Sequence, residues 1–158
     1  MKEISILFVR YPDRASKFLT KYFNQKYTHC SIGLGPNPDI YYSFSVKGFS
    51  CETMAKYNRV GIGKVKILKI KVTNSIYTFI EKKIEEFKNN KDSYSYTIAG
   101  VVFCILHIPF RFKKSYFCSS FVAELLDISK AIKLKKKAYR YLPYELLQEL
   151  SCNDLVNV

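Results

Sequence analysis

The sequence predicts an α+β fold, an antiparallel sheet packed against helices, on three observations. Its elements run strand, helix, several strands and then several helices; two neighbouring strand-like runs are joined by a tight turn; and no internal repeat or linker divides the 158 residues. A single domain over 1–158 follows, long enough to bury about two thirds of the surface its unfolded chain exposes.

Residues 4–9, "ISILFV", form an apolar run stopped by Arg10 and "YPD", the pattern of a buried strand. Asp13 then stands where it can cap a helix through "DRASKFLTKYFNQ", in which Ala15, Phe18, Leu19, Tyr22 and Phe23 recur at helical spacing. "THCSIGLG" and "IYYSFSV" are strand-like runs separated by "PNPD", a turn composition, so a hairpin is expected with His29 at its start. Lys47 to Arg59, with Gly48 and the polar "SCET", reads as irregular apart from one helical turn.

"KVKILKIKV" (Lys64 to Val72) alternates lysine with apolar residues, as in a strand with one buried face. Asn74 or Ser75 caps a second helix that carries Ile76, Phe79, Ile80, Ile84 and Phe87 on one stripe and ends near "NNKDS". A third, buried helix is expected from about Tyr96 to Leu106, broken by Pro109; the run "IAGVVFCILHIPF" is too short to span a bilayer. A fourth begins at Cys118 and ends near Lys130, and Pro143 opens a last one, "PYELLQEL".

Apolar residues make up 48% and charged residues 25%, which excludes a disordered chain. Twenty-six Lys and Arg against thirteen Asp and Glu give a formal charge of +13, attractive to nucleic acid, anionic lipid or another anionic surface or polymer. No zinc-ligand pairs or aromatic RNA-binding motif accompany that charge, so no specific nucleic acid is predicted. The five cysteines are odd in number and scattered, and the N-terminus lacks an export signal; a cytoplasmic protein with reduced thiols is expected, in contact with a membrane only at its periphery.

Cys118 is the one cysteine that opens an amphipathic helix, where converging N–H groups lower a thiol pKa and can hold an oxyanion. Cys104 lies within an apolar run, Cys51 and Cys152 lie in polar segments, and Cys30 alternates with His29 along its strand and should face away from it. Of the two histidines, His107 ends an apolar helix, whereas His29 stands at a strand edge where a rigid sheet can hold a base. No C-x-x-C pair occurs, so neither a metal nor another cofactor is expected.

"KYTHCSIGL", followed by a strand pair and much later by "YFCSSFVAELL", resembles the circularly permuted branch of the NlpC/P60-like papain-type superfamily, which includes YiiX-like and poxvirus-type members. The likeness runs from Ile4 to Leu150 by element order. It implies a papain-like core with Cys118 as nucleophile and His29 as base. It also implies a tyrosine some twenty residues before the nucleophile: Tyr94 in "KDSYSYTIAG", with Tyr96 as the fallback, positioned to hydrogen bond substrate or oxyanion. The third catalytic member is expected after the histidine strand, where spacing gives Ser43, with Asp39 and Glu52 as carboxylates that would have to reach in.

The expected activity is that of a cysteine hydrolase or acyltransferase, acting on a peptide, amide or lipid-ester carbonyl. The alternative is a domain of the same fold that binds an anionic partner without turnover.

Overall fold

A computed structural model describes residues 1–157 of the chain. In chain order its elements are β1 (Lys2–Arg10), α1 (Arg14–Phe23), β2 (His29–Leu34), β3 (Ile40–Ser45), β4 (Gly48–Thr53), α2 (Met54–Val60) and β5 (Lys64–Val72). There follow α3 (Asn74–Asn89), β6 (Ser95–Tyr96), α4 (Ile98–Ile105), β7 (Ser115–Tyr116), α5 (Cys118–Ile128), α6 (Pro143–Ser151) and β8 (Val156–Asn157). The main sheet is antiparallel in the order β4-β3-β2-β1-β5-β8, and β6 and β7 form a separate parallel pair. The fold is α+β.

β1 is apolar at every position from Ile6 to Val9 because both faces of the sheet are covered there. Ile4, Ile6 and Phe8 join Cys30, Ile32 and Phe44 under α3, α5 and α6, while Leu7 and Val9 join Tyr41 and Tyr57 on the other side. Phe44, Phe87 and Phe121 fill the larger core with centroids 5.1–5.9 Å apart, each pair adding about 1 kcal/mol beyond its buried area. This core fixes α5, and so Cys118, against β2 and β3. Among the described residues, no helix is long and apolar enough to cross a membrane.

Three sequence expectations are corrected, and the placement of α1 is added to them. Lys47 to Arg59 is regular: Gly48, at φ 92°, turns the chain into β4, which pairs with β3, and Thr53 caps α2 by accepting from the Lys56 N–H at 3.2 Å. The cap of α3 is Thr73, one residue before the expected pair. The apolar stripe of α1 does not enter the core. Polar contacts moor the helix instead, through the Asp13 cap and a 2.7 Å bond between the Ser16 and Thr28 hydroxyls, and Phe18 packs on Tyr22 and Phe23 at the surface. Nor is α4 buried throughout, since only Gly100 and Cys104 are fully buried, Val101 and Ile105 are half-buried beside them, and Ile98, Val102 and Leu106 lie exposed on the opposite stripe.

Candidate active site

β2 begins at His29 because Thr28 is tied down on both sides. Its N–H donates to the Val9 carbonyl at 3.0 Å, and its hydroxyl accepts from the Tyr11 N–H at 3.3 Å. His29 therefore stands at the end of the sheet, on the face shared with Val9, and is 7% exposed.

Cys118 approaches from the other layer. The two serines after it hold the first turn of α5: Ser120 Oγ accepts from the Phe117 N–H at 2.9 Å, and Ser119 Oγ donates to the Tyr141 carbonyl at 2.7 Å. That leaves the sulfur, also 7% exposed, at the helix N-terminus. Both side chains line one cleft of about 280 Å³, together with Tyr11, Leu19, Val46 and Tyr96. A larger hollow of about 530 Å³ bounded by Lys2, Pro36 and Tyr77 holds neither thiol nor imidazole.

The residue that engages the imidazole is Glu52, whose Oε2 lies 2.9 Å from His29 Nε2. The strand-to-helix junction missed in the sequence builds this contact. β4 pairs Glu52 with Tyr41, and α2 starts immediately afterward, so Lys56 and Tyr57 fold back over the carboxylate one turn later. Tyr57 donates its hydroxyl to Oε2, Ser50 donates to Oε1 at 3.3 Å, and Lys56 Nζ lies 3.6 Å from Oε1. Glu52 is 1% exposed and fully partnered.

Ser43, the expected third member, makes no contact with the imidazole: its short side chain reaches only the Cys30 carbonyl, to which it donates at 2.6 Å. Glu52, from the next strand on the same sheet face, is long enough to cover the remaining distance. Asp39 lies exposed in the turn at the far end of the hairpin. Tyr94 also leaves the site, because its ring packs 4.4 Å from Phe87 in the core, whereas Tyr96, the fallback, lines the cleft. Tyr11 was not anticipated. Its ring lies 5.1 Å from that of His29, and its only sequence signal was its position between a strand end and a helix cap.

Charge follows this geometry. Burial raises the Glu52 carboxyl, but the hydrogen bond and charge of His29, then Tyr57 and Lys56, overcome it and bring the pKa down to about 2. Burial alone would lower the His29 pKa; the Cys118 thiolate and Glu52 reverse that and push it up to about 10. The Cys118 thiol is held well below its ordinary value, first by the Cys30 thiol and, against the opposing effect of burial, by His29 and the Cys30 N–H. Cys30 is thus not remote from the site: its side chain lies on the opposite face from that of His29, yet against the Cys118 sulfur. Because ionised Glu52 can only accept, Nε2 carries a proton and Nδ1 is left for Cys118.

Burial first, and then negative charge that includes Cys118, raises the phenols of Tyr11 and Tyr96, so both stay neutral donors. Cys104 is pushed up by burial to about 12. All five cysteines are free, and no cluster of three or more His, Cys, Asp or Glu side chains suited to a metal occurs among the described residues. No protein-family model matches the chain, and no curated protein sequence matches it.

Proposed function

We propose that this protein is a cysteine hydrolase or acyltransferase that works through Cys118, His29 and Glu52. More particularly, we assign it to the circularly permuted NlpC/P60-like branch of the papain-type superfamily, on the order of its histidine strand and cysteine helix and on an α+β fold compatible with a papain-like core. The observation that carries the reading is the buried Glu52 to His29 contact at 2.9 Å beside a thiol at a helix N-terminus.

In this mechanism the Cys118 thiolate attacks an amide or ester carbonyl carbon, and the carbonyl oxygen becomes an oxyanion held by the Cys118 N–H and the Tyr96 phenol. The C–S bond forms in that attack; when the oxyanion collapses, the C–N or C–O bond breaks as the imidazolium of His29 protonates the departing amine or alcohol, leaving a thioester. Water, or a second nucleophile in the transferase case, then loses its proton to His29 and attacks the thioester. The C–S bond breaks, and the thiolate is restored. Glu52 keeps Nε2 protonated throughout and stabilises the imidazolium both in the resting pair with the thiolate and after His29 has taken the proton from the incoming nucleophile. Free thiols throughout the chain suit a reducing compartment, as in the cytoplasm.

A histidine with no carboxylate behind it would favour the alternative of a binding domain without turnover. Glu52 occupies that position, and the +13 charge suits either reading. The test is iodoacetamide labelling at neutral pH, read by mass spectrometry. Cys118 should label much faster than Cys104 or exposed Cys152, and His29→Ala should remove the advantage. Equal labelling of Cys118 and Cys104, unchanged by His29→Ala, would sink the proposal.

A further inference from the structure

We propose that the outer faces of α1 and α4 dock the protein on an anionic phospholipid bilayer, with the Cys118 cleft opening beside the contact. Both helices carry an apolar stripe that the fold leaves outside. On α1, Phe18 is 52% and Tyr22 60% exposed; on α4, Ile98 is 68% and Leu106 60% exposed, with Val102 between them on the same stripe.

α1 and the segment leading into α4 border the cleft. Leu19 of α1 lines it, as does Tyr96, two residues before α4 begins, and Val46, also exposed, lies on its wall. The cleft that holds the thiol thus has apolar side chains around its approach.

Charge selects the occupant. No Asp or Glu occurs from Arg14 to Pro38 or from Ser93 to Ala123, the two segments that contain these helices, whereas Arg14, Lys17 and Lys21 flank the first stripe and Lys113 and Lys114 follow the second; Arg111 is paired with Glu124 at 2.8 Å and is not counted among them. Apolar side chains beside uncompensated cations are the composition of an interfacial helix on acidic headgroups. A second copy of the chain would bring these cations against each other. Nucleic acid would use the cations, but Ile98, Val102 and Leu106 offer a base neither a stacking face nor a hydrogen bond. The docking rests on exposure and charge alone and does not depend on the thiol chemistry proposed above.

The chain contains no tryptophan, so single substitutions report insertion directly. Phe18→Trp, Leu106→Trp and, as a basic but flat control on β5, Val65→Trp are each mixed with vesicles of phosphatidylcholine containing roughly one-quarter phosphatidylserine. The expected result is a fluorescence blue shift at positions 18 and 106, absent at 65 and absent with pure phosphatidylcholine. In flotation assays, Phe18→Ser with Tyr22→Ser should weaken binding to the same vesicles roughly tenfold or more while circular dichroism is unchanged.

No shift at positions 18 and 106, or an equal shift at 65, overturns the proposal. So does binding to duplex DNA with no binding to vesicles, or dimerisation abolished by the serine pair while vesicle binding is retained. Repeating the flotation with Cys118→Ser separates the two readings: retained binding with lost labelling supports the docking surface whatever the outcome for catalysis.

Discussion

Replacing Glu52 with Gln keeps the size of the side chain and an oxygen that can accept from His29 Nε2, removes the charge, and turns the oxygen facing Ser50 and Lys56 into an N–H donor. In the wild type that charge helps hold the imidazole up at about 10 and, through it, the Cys118 thiolate well below the ordinary thiol range. The window of reactive thiolate with imidazolium therefore opens as pH rises through the Cys118 pKa and closes near pH 10. In Glu52→Gln both edges move inward, the alkaline one toward the ordinary imidazole value of about 6.5. A neutral acceptor is worth roughly 1 to 2 kcal/mol less than a charged one, so alkylation of Cys118 at pH 7 should fall about tenfold.

Stability follows the same contact, with a definite sign. Glu52 drops from 4.5 to about 2 on folding, so its contribution is fully present above about pH 4.5 and is lost as pH falls through about 2. At about 1.4 kcal/mol per pH unit this amounts to about 3 kcal/mol of acid-sensitive stability. His29 moves the other way: its contribution is fully present below about pH 6.5 and is lost as pH rises through about 10. Iodoacetamide rate profiles from about pH 4 to 11 and thermal melts from about pH 2 to 11 check both statements. If the alkaline edge stayed near 10 in Glu52→Gln, the carboxylate would not be what holds the imidazole, and the reasoning would fail.

Ser43→Ala should behave differently, leaving the buried Cys30 carbonyl without its donor and costing about 1 to 3 kcal/mol in chemical denaturation while the alkaline edge stays in place. Cys30→Ala should move only the acidic edge of the Cys118 profile upward, because the thiol that faces the nucleophile is gone and His29 keeps its carboxylate. With p-nitrophenyl acetate as a probe ester, Tyr96→Phe should slow acylation roughly a hundredfold with iodoacetamide labelling unchanged, whereas Tyr94→Phe should alter neither. A Tyr94 effect equal to that of Tyr96 would contradict the positions of the two rings.

The strands and most helix ends were legible because they obey local rules. The run of β1, the turn "PNPD", Asp13 at its cap and Pro143 at the start of α6 each carry their own signal. Glu52 carried none. It lies on a six-residue strand with serine, cysteine and glutamate in place of an apolar alternation, because one face of that strand is spent on holding a buried charge. A polar residue that is buried because four partners await it looks, in sequence, the same as one left in water.

For α4 the expected burial failed in the opposite direction, and α1 shares the reason. Their apolar periodicity states that a stripe exists and says nothing about what covers it, and here the sheet faces were already filled by α2 on one side and by α3, α5 and α6 on the other.

That division of the sheet bears on how the site is assembled. The side chains of His29 and Glu52 belong to the face that carries Tyr57, while Cys118 belongs to the core on the other face with Cys30 and Phe121. The two halves meet only because His29 is the first residue of β2, where the sheet ends and α5 begins its first turn. Loss of packing on either face therefore uncouples thiol from imidazole before the sheet itself melts. Tyr57→Phe, which removes the Glu52 partner on one face, and Phe121→Ala, which opens a cavity under α5 on the other, should both lower the Cys118 labelling rate though neither side chain lines the cleft. Measured below the melting transition of each variant, an unchanged rate in both would show that the dyad is held by α5 and β2 alone.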